Sequence, residues 1–250
     1  MMRWIAVLAL AFLCSAAARA ESTDACALPN YLLLGDVPLQ RVIADVAKTK
    51  RLEIAVLGTT SSTFPGPDGA NSAYPARLEA ALKSQFPKLK IRVVSYAIPR
   101  QSALQMAGMI GKILLEQKPN LVIWQTGTFE ALRGTDPEAF RSVLADGVEK
   151  LQAGGADVIL MNMQYSPRTE TMISLGPYVE SMRWVARERE VAMFDRLAIM
   201  RHWNDTGAID LYAATKDFVI AKRVHDCVGR ALAAMIADGA ELQESGSKTP

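Results

Sequence analysis

Five apolar runs of strand length, at residues 52–57, 91–96, 121–126, 157–161 and 191–194, recur along the chain with helical patterns between them. A strand with one wet face alternates apolar and polar residues, whereas one covered on both faces becomes a near-continuous Val/Ile/Leu run, as these are. Covered strands that alternate with helices are βαβ units. The spacing therefore predicts an α/β fold, a three-layer αβα arrangement around a mostly parallel five-stranded sheet of flavodoxin-like type. In the first interval Leu78, Leu82 and Phe86 form a stripe one turn apart, with Pro75 suited to the first turn. Further helices are expected at 102–117, 136–152, 171–188, 196–203 and 218–237, and Gly154-Gly155 ends one of them. With 250 residues, 50% apolar and 22% charged, the composition is that of an ordinary globular chain, and one domain over 21–250 with a frayed tail from about 242 is expected.

The first twenty residues read as an address. Arg3 precedes an unbroken apolar run over 4–13, followed by small residues and Ala18-Arg19-Ala20, the pattern of a secretory signal cleaved after Ala20. The run is shorter than the roughly 20 apolar residues that span a bilayer, and no later stretch approaches that length, so no integral membrane span is expected. Bulky Leu13 before Cys14 argues against a lipid-modification signal. The leader holds two arginines and no acidic residue, so its loss brings 28 basic and 26 acidic residues to parity. A neutral chain with two histidines and no basic run lacks the footprint for phosphate-backbone binding, and no nucleic-acid partner is expected. Nor do these histidines and cysteines show zinc-like spacing, so no metal or other cofactor is expected. Export leaves Cys26 and Cys227, which an oxidising compartment favours pairing; the alternative is two buried thiols. A Cys26–Cys227 bridge would close a loop of about 200 residues, worth up to roughly 5 kcal/mol in the chain-entropy picture.

In an open parallel sheet, ligand sites gather at the carboxyl ends of the strands, here the loops after Leu57, Tyr96, Thr126 and Phe194. Gly58-Thr59-Thr60-Ser61-Ser62-Thr63 places five hydroxyls at the first of these. They are a supply of nucleophiles, or equally the caps and turn bonds that hydroxyl-rich loops make. The segment from Gln125 to Gly134 is polar at its start and is positioned to line the same crevice.

The blocks IAVLGTTSS, SAYPARLEAAL, VVSYAIPRQSA, VIWQTGTFEALRG and HDCVGRALAAMI together resemble the SGNH/GDSL hydrolase family, three-layer α/β serine esterases and lipases, over almost the whole mature chain. The resemblance implies a nucleophile at Thr60, with Ser61 beside it, just after Gly58. Threonine keeps a hydroxyl, but its methyl stiffens χ1 and crowds attack. The glycine that donates to the oxyanion falls on Arg100, and Ala97 takes a nearby position that is also often glycine. In the third block Gly127 and Thr128 match, while Phe129 stands for the oxyanion asparagine and Glu130 for the aspartate. Phe129 has no donor, and losing one such donor costs on the order of 100- to 1000-fold in a serine hydrolase. For the final Asp-x-x-His two alignments stay open. Cys227 with the stripe Val224, Val228, Ala231 and Met235 puts the pair at Lys216 and Val219. The other takes His225 as the base, inside a helical pattern, with Lys222 where the aspartate would be, a cation that lowers the imidazole pKa without orienting the ring. His202 lies on a short helix and is a weaker candidate.

Two functions follow from the resemblance. One is an exported ester hydrolase using an atypical Thr/Ser nucleophile on O-acyl groups. The other is a non-catalytic or weakly active descendant whose crevice, with Gly58, Arg100, Gly127, Thr128, Phe129 and Glu130, binds an acylated carbohydrate, a lipid or a protein partner. The number of replaced roles favours the second. Similarity to bacterial members implies the periplasm, with secretion into the medium as the alternative, and loops 64–73 and 166–171 would set ligand selectivity.

Overall fold

Pairing between strands is parallel throughout. In the computed structural model, which describes residues 24–33, 37–213 and 218–242, β1 (Arg51–Gly58), β2 (Lys90–Ala97), β3 (Leu121–Gln125), β4 (Asp157–Met161) and β5 (Ala192–Phe194) form one sheet in the order β2-β1-β3-β4-β5. All of β3 is buried, as is β1 from Ile54 onward, which is what their unbroken apolar character demands. The leader, Lys216 and the tail from residue 243 lie outside the described residues.

The helices are α1 (Gln40–Thr49), α2 (Gly69–Ser72), α3 (Tyr74–Gln85), α4 (Ala103–Ala107), α5 (Ile110–Glu116), α6 (Thr128–Arg133), α7 (Pro137–Ala153), α8 (Pro167–Glu170), α9 (Gly176–Glu188), α10 (Arg196–Asp205) and α11 (Val219–Gly239). One face of the sheet is covered by α1, α3 and α11, the other by α4, α5, α7 and α9. Right-handed crossovers produce this division, because the chain turns back after β2 and builds the rest of the sheet on the far side of β1.

Two helical expectations are corrected. The helix expected over 102–117 is two, α4 and α5, because Gly108 caps the first and Met109 leads into the second. The helix expected from 171 starts at Gly176, where Pro177 takes the first turn, and a separate short α8 precedes it. Helix α1 was not anticipated. Its flanking Leu39 offers no cap; instead Asp157 Oδ2, at the start of β4, accepts the backbone N–H groups of Arg41 (2.9 Å) and Val42 (3.0 Å).

Cys26 and Cys227, separated by 201 in the sequence, are joined in a disulfide with their Cα atoms 5.0 Å apart. The bridge, with the Asp24–Arg230 ion pair beside it, ties the segment before α1 to the middle of α11. Strand order reverses between β1 and β3, so the topological switch point lies between the carboxyl ends of these two strands. Gly58 and Gln125 are the residues that end them.

Candidate active-site crevice

At the end of β1 the chain turns through a short 3-10 segment, Thr60–Ser62, that exposes Thr60, half-buries Ser61 and buries Ser62. The turn hangs on Gln125. The Oε1 of that side chain accepts hydrogen bonds from Thr59 N (3.2 Å), Thr59 Oγ1 (3.4 Å) and Ser62 Oγ (2.9 Å), and Ser62 Oγ also lies 2.9 Å from Tyr74 Oη. Gly58 must be glycine for this to close, since a Cβ there would overlap the Ser62 hydroxyl. Three of the five hydroxyls thus act as turn bonds, Thr59 and Ser62 to Gln125 and Thr63, whose Oγ1 donates to Thr60 O (2.7 Å). Ser61 Oγ is buried with no hydrogen-bond partner.

The loop after β2 carries Arg100, exposed and at φ +64°, in the left-handed region that favours glycine. The residue in that conformation is a cation rather than a glycine. After β3, Gly127 also takes a positive φ, +99°, and a Cβ there would come within 2.5 Å of Met163 Sδ. Glu130 does not face the crevice. It is 2% exposed, its Oε1 accepts from Ala103 N (2.5 Å) and its Oε2 from Gly127 N (3.2 Å), so it ties the third loop to the start of α4. Thr128 and Phe129, from the same helix, do line the crevice, Thr128 Oγ1 being buried without a partner and the Phe129 ring lying 5.8 Å from the Arg133 guanidinium carbon.

The resulting crevice, of about 360 Å³, brings Thr60, Ser61, Arg100, Thr128, Phe129 and His225 together. His225 lies on α11, stacked on the Tyr74 ring at 6.1 Å between centroids, with Phe64 edge-on at 5.2 Å. Its Nδ1 accepts a hydrogen bond from Tyr74 N at 2.9 Å. Burial, reinforced by the nearby Arg196 cation, pushes the imidazole down to about 3, so the ring is neutral at physiological pH. Val219, the other position considered for the family histidine, is exposed at the first residue of α11. His202 lies on α10 and is not part of the crevice.

Arg196 escaped the sequence reading. It opens α10 directly after β5, with no exposed surface. Its Nη1 donates to Ser61 O (3.3 Å), its Nη2 to Gln164 Oε1 (3.5 Å), and its Cζ sits 5.6 Å from the Tyr74 ring centroid. Burial lowers its pKa to about 10, and the same burial raises Tyr74 to about 12. A local signal existed: a cation in the first turn of a helix opposes the macrodipole, and this one follows a strand whose end was already singled out. Among the described residues no group of three or more His, Cys, Asp or Glu is placed to hold a metal, and no helix is long and apolar enough to cross a membrane.

Parallel sheet, switch-point crevice and hydroxyl turn after β1 define an SGNH/GDSL esterase-like scaffold. The chain belongs to the non-GDSL lipase-like family, whose profile matches residues 25–242. It is 33% identical over 91 residues to Esterase TesA of Pseudomonas aeruginosa, a match covering 36% of this chain and 42% of that protein's length. Among solved structures it is similar to TesA (TM-score 0.57, 20% identity, 73% of this chain and 99% of that one). It is also similar to an acetyl xylan esterase from Geobacillus stearothermophilus (TM-score 0.59, 20% identity, 75% and 97%). An α/β hydrolase enzyme from the Lake Arreo metagenome aligns at TM-score 0.60, with 19% identity over 74% of this chain and 94% of that one. At such identities these likenesses speak for the fold.

Proposed function

We propose that this is an exported SGNH/GDSL-type relative that has lost ester hydrolysis and uses the crevice to bind an acylated glycan, a lipid or a protein partner. The observation that carries this reading is the hydrogen bond from Tyr74 N to His225 Nδ1. A serine-hydrolase base needs Nδ1–H held by a carboxylate so that Nε2 is free to take the nucleophile's proton. In His225 the Nδ1 lone pair is occupied, the neutral ring carries its proton on Nε2, and neither nitrogen remains to accept one. An imidazole at about 3 is also far too weak a base near neutral pH. Phe129 at the old asparagine position and Arg100 at the old glycine suit a ligand wall better than an oxyanion hole. The disulfide is compatible with the oxidising compartment that export provides.

Purified protein lacking the leader is to be assayed with p-nitrophenyl esters of increasing acyl length and with an organophosphonate serine probe. No turnover above buffer and no labelling are expected. The unpartnered Ser61 hydroxyl gives the competing reading, an active esterase, its one foothold. Turnover that disappears in Ser61→Ala or Thr60→Ala, with circular dichroism unchanged, would establish that reading instead.

A further inference from the structure

Arg196 is a cation without a counter-ion among the described residues. It has no exposed surface, and none of the ion pairs among those residues includes it. A guanidinium carries five N–H donors in a planar fork. Here they meet only two neutral acceptors, both at long range, 3.3 Å to Ser61 O and 3.5 Å to Gln164 Oε1, and Nε has none. Even lowered to about 10, this side chain stays charged at neutral pH. A buried charge served this poorly is costly, and a planar anion with two oxygens would serve it far better.

The space beside it has ligand dimensions. Arg196 lines a compartment of about 340 Å³ that shares Gln164, Phe218, Ala221 and His225 with the crevice of about 360 Å³. Its lining mixes polar side chains, Gln164, Tyr165, Ser166 and His225, with apolar Met200, Leu211 and Val224, and Phe64, Phe129 and Leu132 add apolar surface in the adjoining crevice. Phe64 and Phe218 pack edge to face at 5.8 Å between them. Gln164 is exposed and its amide only grazes Arg196, so it is the group a ligand would displace.

We propose that this double compartment binds a free carboxylic acid with an apolar body, its carboxylate paired with Arg196 in place of the Gln164 amide. The inference rests on the reading of the crevice as a binding site and deepens it: the preferred ligand is the acid and not the ester. Arg196 is the sole arginine or lysine lining its own compartment among the described residues, and Arg100 lines the adjoining crevice. One buried positive charge balances one carboxylate. The flat fork of the guanidinium matches a flat carboxylate bidentately. The aromatic and aliphatic walls accept the hydrocarbon.

The test is calorimetric titration of the leaderless protein with octanoate, methyl octanoate, octylamine and inorganic phosphate, with methanol release monitored in the ester arm. Octanoate is expected to bind one to one, the methyl ester at least about tenfold more weakly, and the amine and phosphate not at all. Equal affinity for acid and ester, or no octanoate binding, overturns the proposal. Because Arg196→Gln alters a fully buried residue and perturbs the fold along with the site, the informative variant is Gln164→Glu on the exposed side chain. It supplies a tethered carboxylate to Arg196, so octanoate binding should vanish while the melting temperature rises; octanoate binding undiminished in this variant refutes the role of Arg196. Methanol release would separately overturn the reading of the crevice as non-hydrolytic, whatever the octanoate isotherm shows.

Discussion

On the β3 side of the crevice the Gln125 Oε1 and the Glu130 carboxylate oxygens are in use, while Gln125 Nε2 and Thr128 Oγ1 have no partner. Gln125 Oε1 gathers Thr59 and Ser62, and Glu130 gathers Ala103 and Gly127. On the β5 side a buried cation lacks acceptors: Arg196 Nε has no partner, and the remaining Arg196 bonds are long. Buried polar groups that are satisfied hold loops in place, and those left open cost stability unless something from outside completes them. The carboxylate and amide oxygens after β3 therefore act as framework and the buried cation after β5 as receptor, although both descend from loops at strand ends.

The largest effect expected tests the support of the receptor wall. The Cys26→Ser, Cys227→Ser double variant frees the chain that pins α11, and urea unfolding should show a loss of about 4 kcal/mol. Next comes the framework wall itself. Glu130→Ala removes the acceptor for two buried backbone donors and should cost about 3 kcal/mol in the same assay, with the loops at Ala103 and Gly127 gaining amide-exchange rate. A cost below about 1 kcal/mol for Glu130→Ala would erase the distinction between the walls.

Acid sharpens the comparison from the receptor side. His225 titrates near 6.5 when unfolded and near 3 when folded, so between those values the unfolded chain binds a proton that the folded one refuses. Stability is therefore full above about pH 6.5 and is lost as pH falls, at up to about 1.4 kcal/mol per unit, or about 2 kcal/mol by about pH 5. His225→Phe should flatten that slope. The smallest effect is a gain: Arg100→Gly relieves a left-handed arginine and, after the greater freedom of the unfolded glycine is deducted, should stabilise by about 0.5–1 kcal/mol in thermal melts.

Much of the frame was legible because burial on both faces leaves its mark on every residue of a strand, as in the runs that became β1 and β3. Helix α1 was not, because its cap comes from Asp157, more than a hundred residues away, and a cap that distant leaves no trace beside Leu39. The crevice was legible where a loop follows a strand directly, so Thr60, Ser61, Thr128 and Phe129 could be assigned to it from order alone. Glu130 could not be separated from them, since its inward turn depends on the Ala103 amide from another loop. Arg196 was passed over because its burial is the joint work of Tyr74, Ser61 and Gln164, three segments remote from it in the chain.

The covalent link between positions 26 and 227 also decides how the molecule bears load. Tension applied at the two ends passes across sulfur from one end of the fold to the other, and the sheet between them is never in the line of force. Pulled in oxidising solution, the chain should lengthen only by what lies outside that ring; with a reductant present, the whole interior becomes available to be drawn out.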